Sequence, residues 1–145
     1  MMNRSNINIL YKSVRPDTSL DRLAIKTLTK LISTEKVQFN ELNILFSSDK
    51  FIKSLNRNFR GKDETTDILT FYYETGNKSG LMGDITVSLQ TARRQAKELG
   101  HGIEAELRIL LVHGFYHLLG FDHVKNKDYL AMNKKESSAL KKLGV

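Results

Sequence analysis

The sequence predicts a single α+β (α/β-like) domain spanning residues 1–145, a mixed four-stranded sheet packed with about five helices. Three observations lead there. Strand-like runs alternate with helix-like runs through the N-terminal part of the chain. A glycine-rich turn then joins two more strand-like runs, the pattern of an antiparallel hairpin. And 145 residues with 40% hydrophobic content and one proline suit a soluble domain with a real core. The strand order stays open.

Each element has its own signal. Asn6–Tyr11 alternates at Ile7, Ile9 and Tyr11 and reads as a strand, ended by Pro16 and Asp17. Thr18-Ser-Leu-Asp21 has the form of a capping box and opens a helix to about Ser33, with Leu20, Leu23, Ala24, Leu28, Leu31 and Ile32 as its apolar stripe. Leu42–Phe46 is a second strand. Ser48 or Asp49 caps a short helix carrying Phe51, Ile52 and Leu55, and Asn56 to Thr66 reads as a polar loop. Asp67–Tyr73, rich in branched and aromatic residues, is the third strand. The turn Thr75–Gly80 leads to the fourth, Met82–Leu89. Ser88 to Leu99 is a helix stopped by Gly100, and another runs from about Ile103 with Leu107, Leu111 and Leu118 in one buried row. Asp128 to Leu143 closes the chain as a helix.

Composition bounds the function. No apolar run approaches the roughly 18–20 residues of a membrane span, and the N-terminus lacks the apolar core of a signal peptide. There is no cysteine, so no disulfide framework exists. A cytoplasmic, soluble protein is expected. The net charge of +7 is lopsided: residues 1–62 carry twelve Lys/Arg against five Asp/Glu, whereas residues 63–145 carry eleven of each. A basic excess of this kind favours polyanions through phosphate contacts and counterion release.

The chemistry concentrates in His113-Gly-Phe-Tyr-His117-Leu-Leu-Gly120-Phe-Asp122-His123, which holds three of the four histidines. On a helix, positions i and i+4 share a face, so His113 and His117 point two imidazoles at one ion. Gly120 stands where the helix would stop, because glycine takes the left-handed conformation cheaply. The chain can then turn back and offer His123. Three imidazoles leave a fourth position open, as in catalytic zinc sites; structural zinc sites usually have four protein ligands and commonly use cysteine. Asp122 could still close the sphere, which keeps a purely structural metal as a rival.

The spacing matches the metzincin pattern H-E-x-x-H-x-x-G-x-x-H at the histidines and at Gly120, but Gly114 stands where the catalytic Glu belongs. Without that carboxylate the usual general base of peptide hydrolysis is missing, so a zinc peptidase is the weaker reading. Metal-assisted phosphodiester cleavage fits better, with the metal polarising a phosphoryl oxygen and Arg60 as a nearby cation. From these residues alone, RNA and DNA remain undecided.

The same window resembles the signature of the YbeY endoribonucleases, and the resemblance extends upstream. Leu55-Asn-Arg-Asn-Phe-Arg60 is similar to their Leu-Asn-x-x-Tyr-Arg, Asp63-Glu-Thr-Thr-Asp67-Ile-Leu-Thr-Phe71 to their Asp-x-Pro-Thr-Asp-Val-Leu-Ser-Phe, and Gly83-Asp84-Ile85 to their Gly-Asp-Ile. The resemblance implies a single-strand-directed, metal-dependent endoribonuclease acting in 16S rRNA 3′-end maturation and ribosome quality control. It implies one ion, usually zinc, on His113, His117 and His123, with other divalent transition metals possible. It puts the family's functional arginine on Arg60, so that Arg60 and His113 are the catalytic candidates. The implied partners are single-stranded ribosomal RNA, the small ribosomal subunit and assembly proteins. Thr65 replaces the family's proline, which loosens the loop after Arg60.

Other polar residues carry lesser expectations. Asp122 either orients a ligand or forms a turn. Asp67 and Asp84 are expected to bond loop backbone amides. His101 is expected to be exposed, and Gly114 to allow close approach of another backbone or of substrate. A protein of a different class, a non-catalytic assembly factor braced by a structural metal, is the alternative.

Overall fold

The structure, a computed structural model, describes residues 6–74, 81–121 and 126–145. The elements follow in the order β1 (Ile7–Lys12), α1 (Thr18–Glu35), β2 (Phe39–Ser47), α2 (Asp49–Arg60), β3 (Ile68–Glu74), β4 (Leu81–Ser88), α3 (Leu89–Leu99), α4 (Ile103–Leu118) and α5 (Asn126–Lys142). The four strands form one sheet in the order β1-β2-β4-β3. β1, β2 and β4 run parallel, and β3 pairs antiparallel with β4 along the edge. The mixed α+β domain expected from the sequence is therefore the fold, hairpin included. The turn Thr75–Gly80 lies outside the described residues.

The sheet's two faces explain the strand patterns. Ile7, Ile9 and Tyr11, then Leu42, Ile44 and Phe46, then Ile85 and Val87, point to one side and pack under α1 and α4. Helix α4 is the centre of the molecule, touching α1, α3, α5, β3 and β4. Its Leu107, Leu111, Val112 and Phe115 are fully buried. On the opposite face α2 packs chiefly over β3 and β4, leaving a pocket open towards β2 and β1.

Several local expectations change. The N-cap of α1 is Asp17, whose Oδ1 accepts from Ser19 N at 2.9 Å; Asp21, the assumed capping-box partner, instead accepts from Tyr11 OH at 2.6 Å. Both α1 and β2 are longer than their apolar cores suggested. Helix α2 does not stop before Asn56 but runs to Arg60, because Gly61 at φ 70° supplies the left-handed residue that closes it. Ser48 caps α2, accepting from Phe51 N at 3.2 Å. That frees Asp49 to clasp α3: its Oδ1 accepts from Ser88 Oγ and Thr91 Oγ1, both at 2.6 Å, and its Oδ2 meets Arg94 Nη1 at 2.9 Å. Burial works against the charge, yet these partners hold the Asp49 carboxyl down to about 2.

Candidate metal centre and its cleft

His113 and His117 sit on the last turns of α4, both half-buried, one helical turn apart. Their ring centroids are 4.7 Å apart with the planes at 72°. This is the shared face that i, i+4 spacing demands. Helix α4 ends as the sequence predicts. Gly120 takes φ 97°, its N–H bonds to His117 O (2.9 Å), and Phe121 N–H bonds to Tyr116 O (3.1 Å). Those two bonds and the Tyr116–Phe121 ring contact make a Schellman close, which reverses the chain just past the histidine face. Asp122 and His123 come next and lie outside the described residues. Among the described residues no third His, Cys, Asp or Glu joins His113 and His117 in a group able to hold a metal.

The pair nonetheless suits an ion. His113 Nδ1 lies 3.2 Å from Glu136 Oε1, a carboxylate on α5. A metal-ligating histidine usually gives its second ring N–H to a carboxylate or carbonyl, which fixes the ring and directs the other nitrogen to the ion. Helix α5 is itself tied in nearby. Lys135 Nζ meets Glu35 Oε1 at 3.0 Å, and Glu35 Oε2 accepts from the hydroxyl of fully buried Tyr116 at 3.0 Å. Burial, then the Glu35 hydrogen bond, pushes the Tyr116 phenol above its ordinary range, so it stays a donor.

Both imidazoles line a cleft of about 610 Å³ at the β3 edge of the sheet, and Arg60 lines the same cleft with Lys62, Thr66 and Thr70. Arg60 ends α2, donates from Nη2 to Thr70 O at 3.2 Å, and places its guanidinium 5.8 Å from the centre of the Phe71 ring. A guanidinium has several donors, so this single bond anchors the charge without exhausting it. The loop between α2 and β3 is pinned by buried Asn56, whose Nδ2 donates to Glu64 O at 2.9 Å. Thr65, in the position of the family's proline, adds only long contacts to Asp49, 3.4 Å and more.

Gly114 does permit close approach, but its neighbours are sheet side chains. A Cβ there would lie 2.8 Å from Ile68 Cδ1 and 3.2–3.3 Å from Ile85 and Thr70. Position 114 thus faces the sheet, and a peptidase-type glutamate there would collide with these side chains. His101 is not simply exposed, since its Nε2 lies 2.7 Å from Oε1 of buried Glu106. Asp84 and Asp67 engage side chains where loop amides were expected: Asp84 accepts from Asn43 and Tyr73, and Asp67 from Gln95 and Thr66. Glu136 and Asn56 escaped the sequence reading. Nothing in the pattern of α5 marks Glu136; Asn56 is visible in the Leu-Asn motif, but its polar neighbours disguise the helix it belongs to.

Two imidazoles at a helix end and one guanidinium thus line the same open cleft, a set of groups with the chemistry to receive an anion. The profile of the Endoribonuclease YbeY family matches residues 6–144. The Endoribonuclease YbeY of Desulforamulus reducens is 34% identical over 94% of this chain and 97% of its own length. That of Caldicellulosiruptor bescii is 38% identical over 96% and 99%. A solution structure from Thermotoga maritima superposes with a TM-score of 0.66 at 29% identity, covering 92% of this chain and 86% of the other. The chain belongs to the YbeY endoribonuclease family, and that membership supports an RNA endonuclease role, a hydrolase acting on RNA. No helix of the described residues is long and apolar enough to cross a membrane.

Proposed function

We propose that this chain is a single-strand-specific, metal-dependent endoribonuclease that acts in the cytoplasm on ribosomal RNA, in 16S rRNA 3′-end maturation and ribosome quality control. What supports the reading is one juxtaposition: two imidazoles 4.7 Å apart and the Arg60 guanidinium line the same cleft. His113, His117 and His123 would hold one zinc ion, or another divalent transition metal. When bound, the ion would supply Lewis acidity at the scissile phosphate. Arg60 would bind a phosphate oxygen and offset charge as it develops. Glu136 would keep His113 in the tautomer that turns Nε2 to the cleft. The small ribosomal subunit and its assembly proteins would be the partners that deliver the RNA.

The test is to incubate purified protein with precursor small subunits and map the 3′ ends of the 16S rRNA. Wild type should shorten them and His117→Ala should not, while His117→Ala keeps most of the affinity for single-stranded RNA. Unprocessed ends with active wild type on naked RNA would sink the maturation role and keep the nuclease.

A further inference from the structure

The face of the sheet that α2 leaves partly open has its own order. Its middle row runs Asn8, Asn43, Asp84, Phe71, register partners across all four strands. Asn8 Nδ2 donates to Asn43 Oδ1 (3.0 Å), Asn43 Nδ2 donates to Asp84 Oδ1 (2.9 Å), and Tyr73 OH donates to Asp84 Oδ2 (3.3 Å). The Asp84 carboxylate is thereby held from both sides in a pocket of about 290 Å³ walled by Leu10, Leu45, Phe59, Phe71 and Tyr73. Ligand pockets run from roughly 300 to 1,000 Å³, so this one suits a single ring system.

Its walls are unusually bare. Phe59 is 68% exposed, and Tyr73 and Leu10 are each 50% exposed. Two observations say what covers them. The first is charge: α2, which forms one wall, carries Lys50, Lys53, Arg57 and Arg60 against Asp49 alone, a setting for a polyanion. The second is continuity. Arg60 lines the histidine cleft yet sits against Phe71, which lines this pocket, so a strand leaving the cleft over the β3 edge arrives here.

We propose that this pocket is a nucleobase subsite. One unpaired base of the RNA stacks on Phe59 and Tyr73 and donates to the Asp84 carboxylate, while α2 cations take the flanking phosphates. The inference rests on the RNA endonuclease reading of the adjacent cleft. Exposed aromatic rings stack on any base. Asp84 adds selectivity, because a carboxylate only accepts, and each oxygen keeps a lone pair beyond its present bond. Guanine offers two adjacent donors, N1–H and the N2 amino group. Uracil offers one N–H between two carbonyls, which the carboxylate repels. The subsite therefore favours guanine over uracil at one position near the cut.

The test uses labelled single-stranded oligouridine, 2′-O-methylated against cleavage, with one guanosine walked through each position and binding read by anisotropy. Wild type should bind one register about tenfold more tightly, and inosine there, which lacks the amino group, should forfeit most of the gain. That swap tests Asp84 without altering the protein. Asp84→Asn should flatten the preference, and Phe59→Ala, at an exposed position, should weaken every oligonucleotide by roughly 5- to 150-fold, the range for losing one base stack. A flat profile for wild type, or unchanged binding by both variants, overturns the subsite and returns this face to a protein partner. If unmethylated RNA is still cut in that case, the subsite alone fails; if wild type neither binds nor cuts, the nuclease reading fails with it.

Discussion

Glu136 meets His113 from 23 residues downstream, its Oε1 3.2 Å from Nδ1, the kind of contact that fixes the orientation of an imidazole. Removing a carboxylate of this kind typically costs about 10–100-fold in metal affinity. Glu136→Ala should show that loss in competition with a chelating dye while the circular dichroism spectrum stays that of wild type. A spectrum that collapses would make Glu136 a fold residue instead. The histidine pair was legible because i, i+4 spacing fixes geometry within one helix. Glu136 was not, because helical periodicity says which residues share a face of α5 and nothing about the element that face meets. His101 illustrates the same limit: an interhelical histidine looks exposed until buried Glu106 turns out to be its partner at 2.7 Å. His101→Ala should destabilise by about 1–3 kcal/mol, measured by urea unfolding, since it strips a buried carboxylate of a hydrogen-bond partner.

At the scale of elements, the site depends on how closely α4 seats on the hairpin and how firmly α2 is clamped to α3. Gly114 controls the first. A branched side chain would collide with Ile68, Ile85 and Thr70, so Gly114→Val should lower stability by about 2–3 kcal/mol in a thermal or denaturant melt. Asp49 controls the second. Its folded-state carboxyl titrates near 2, below the ordinary 3.8, so the clasp stabilises the fold fully above about 4 and loses this contribution as pH falls towards 2. Asp49→Asn should cost about 1–2 kcal/mol at neutral pH, and the gap to wild type should close under acid. A gap independent of pH would mean that packing, not charge, joins the helices. The end of α4 could be read from Gly120 and the end of α2 could not, although Gly61 offered the same signal. The polar run from Asn56 to Arg60 looked like loop because only Asn56 of those residues turns inward.

For the molecule as a whole, the sequence pattern reached the sheet's composition but not its order. Alternation identified the strands and the glycine-rich turn identified the hairpin, yet only tertiary packing inserts β4 between β2 and β3. That insertion puts β3 on the edge, where its Ile68, Leu69 and Thr70 line the cleft together with Arg60 and the histidines. The basic excess of residues 1–62 then has a place, since α2 brings part of it to the rim of the cleft. Arg60→Glu should weaken binding of single-stranded RNA and reduce the slope of affinity against salt by about one or two contacts. An unchanged slope would remove Arg60 from the phosphate path. Metal-dependent cleavage is tested most directly by following end-labelled single-stranded RNA with wild type and His117→Ala purified side by side, with and without chelator. Cleavage by wild type alone, lost to the chelator and restored by zinc, is the expected result; equal cleavage by both proteins, or cleavage indifferent to the chelator, would contradict it.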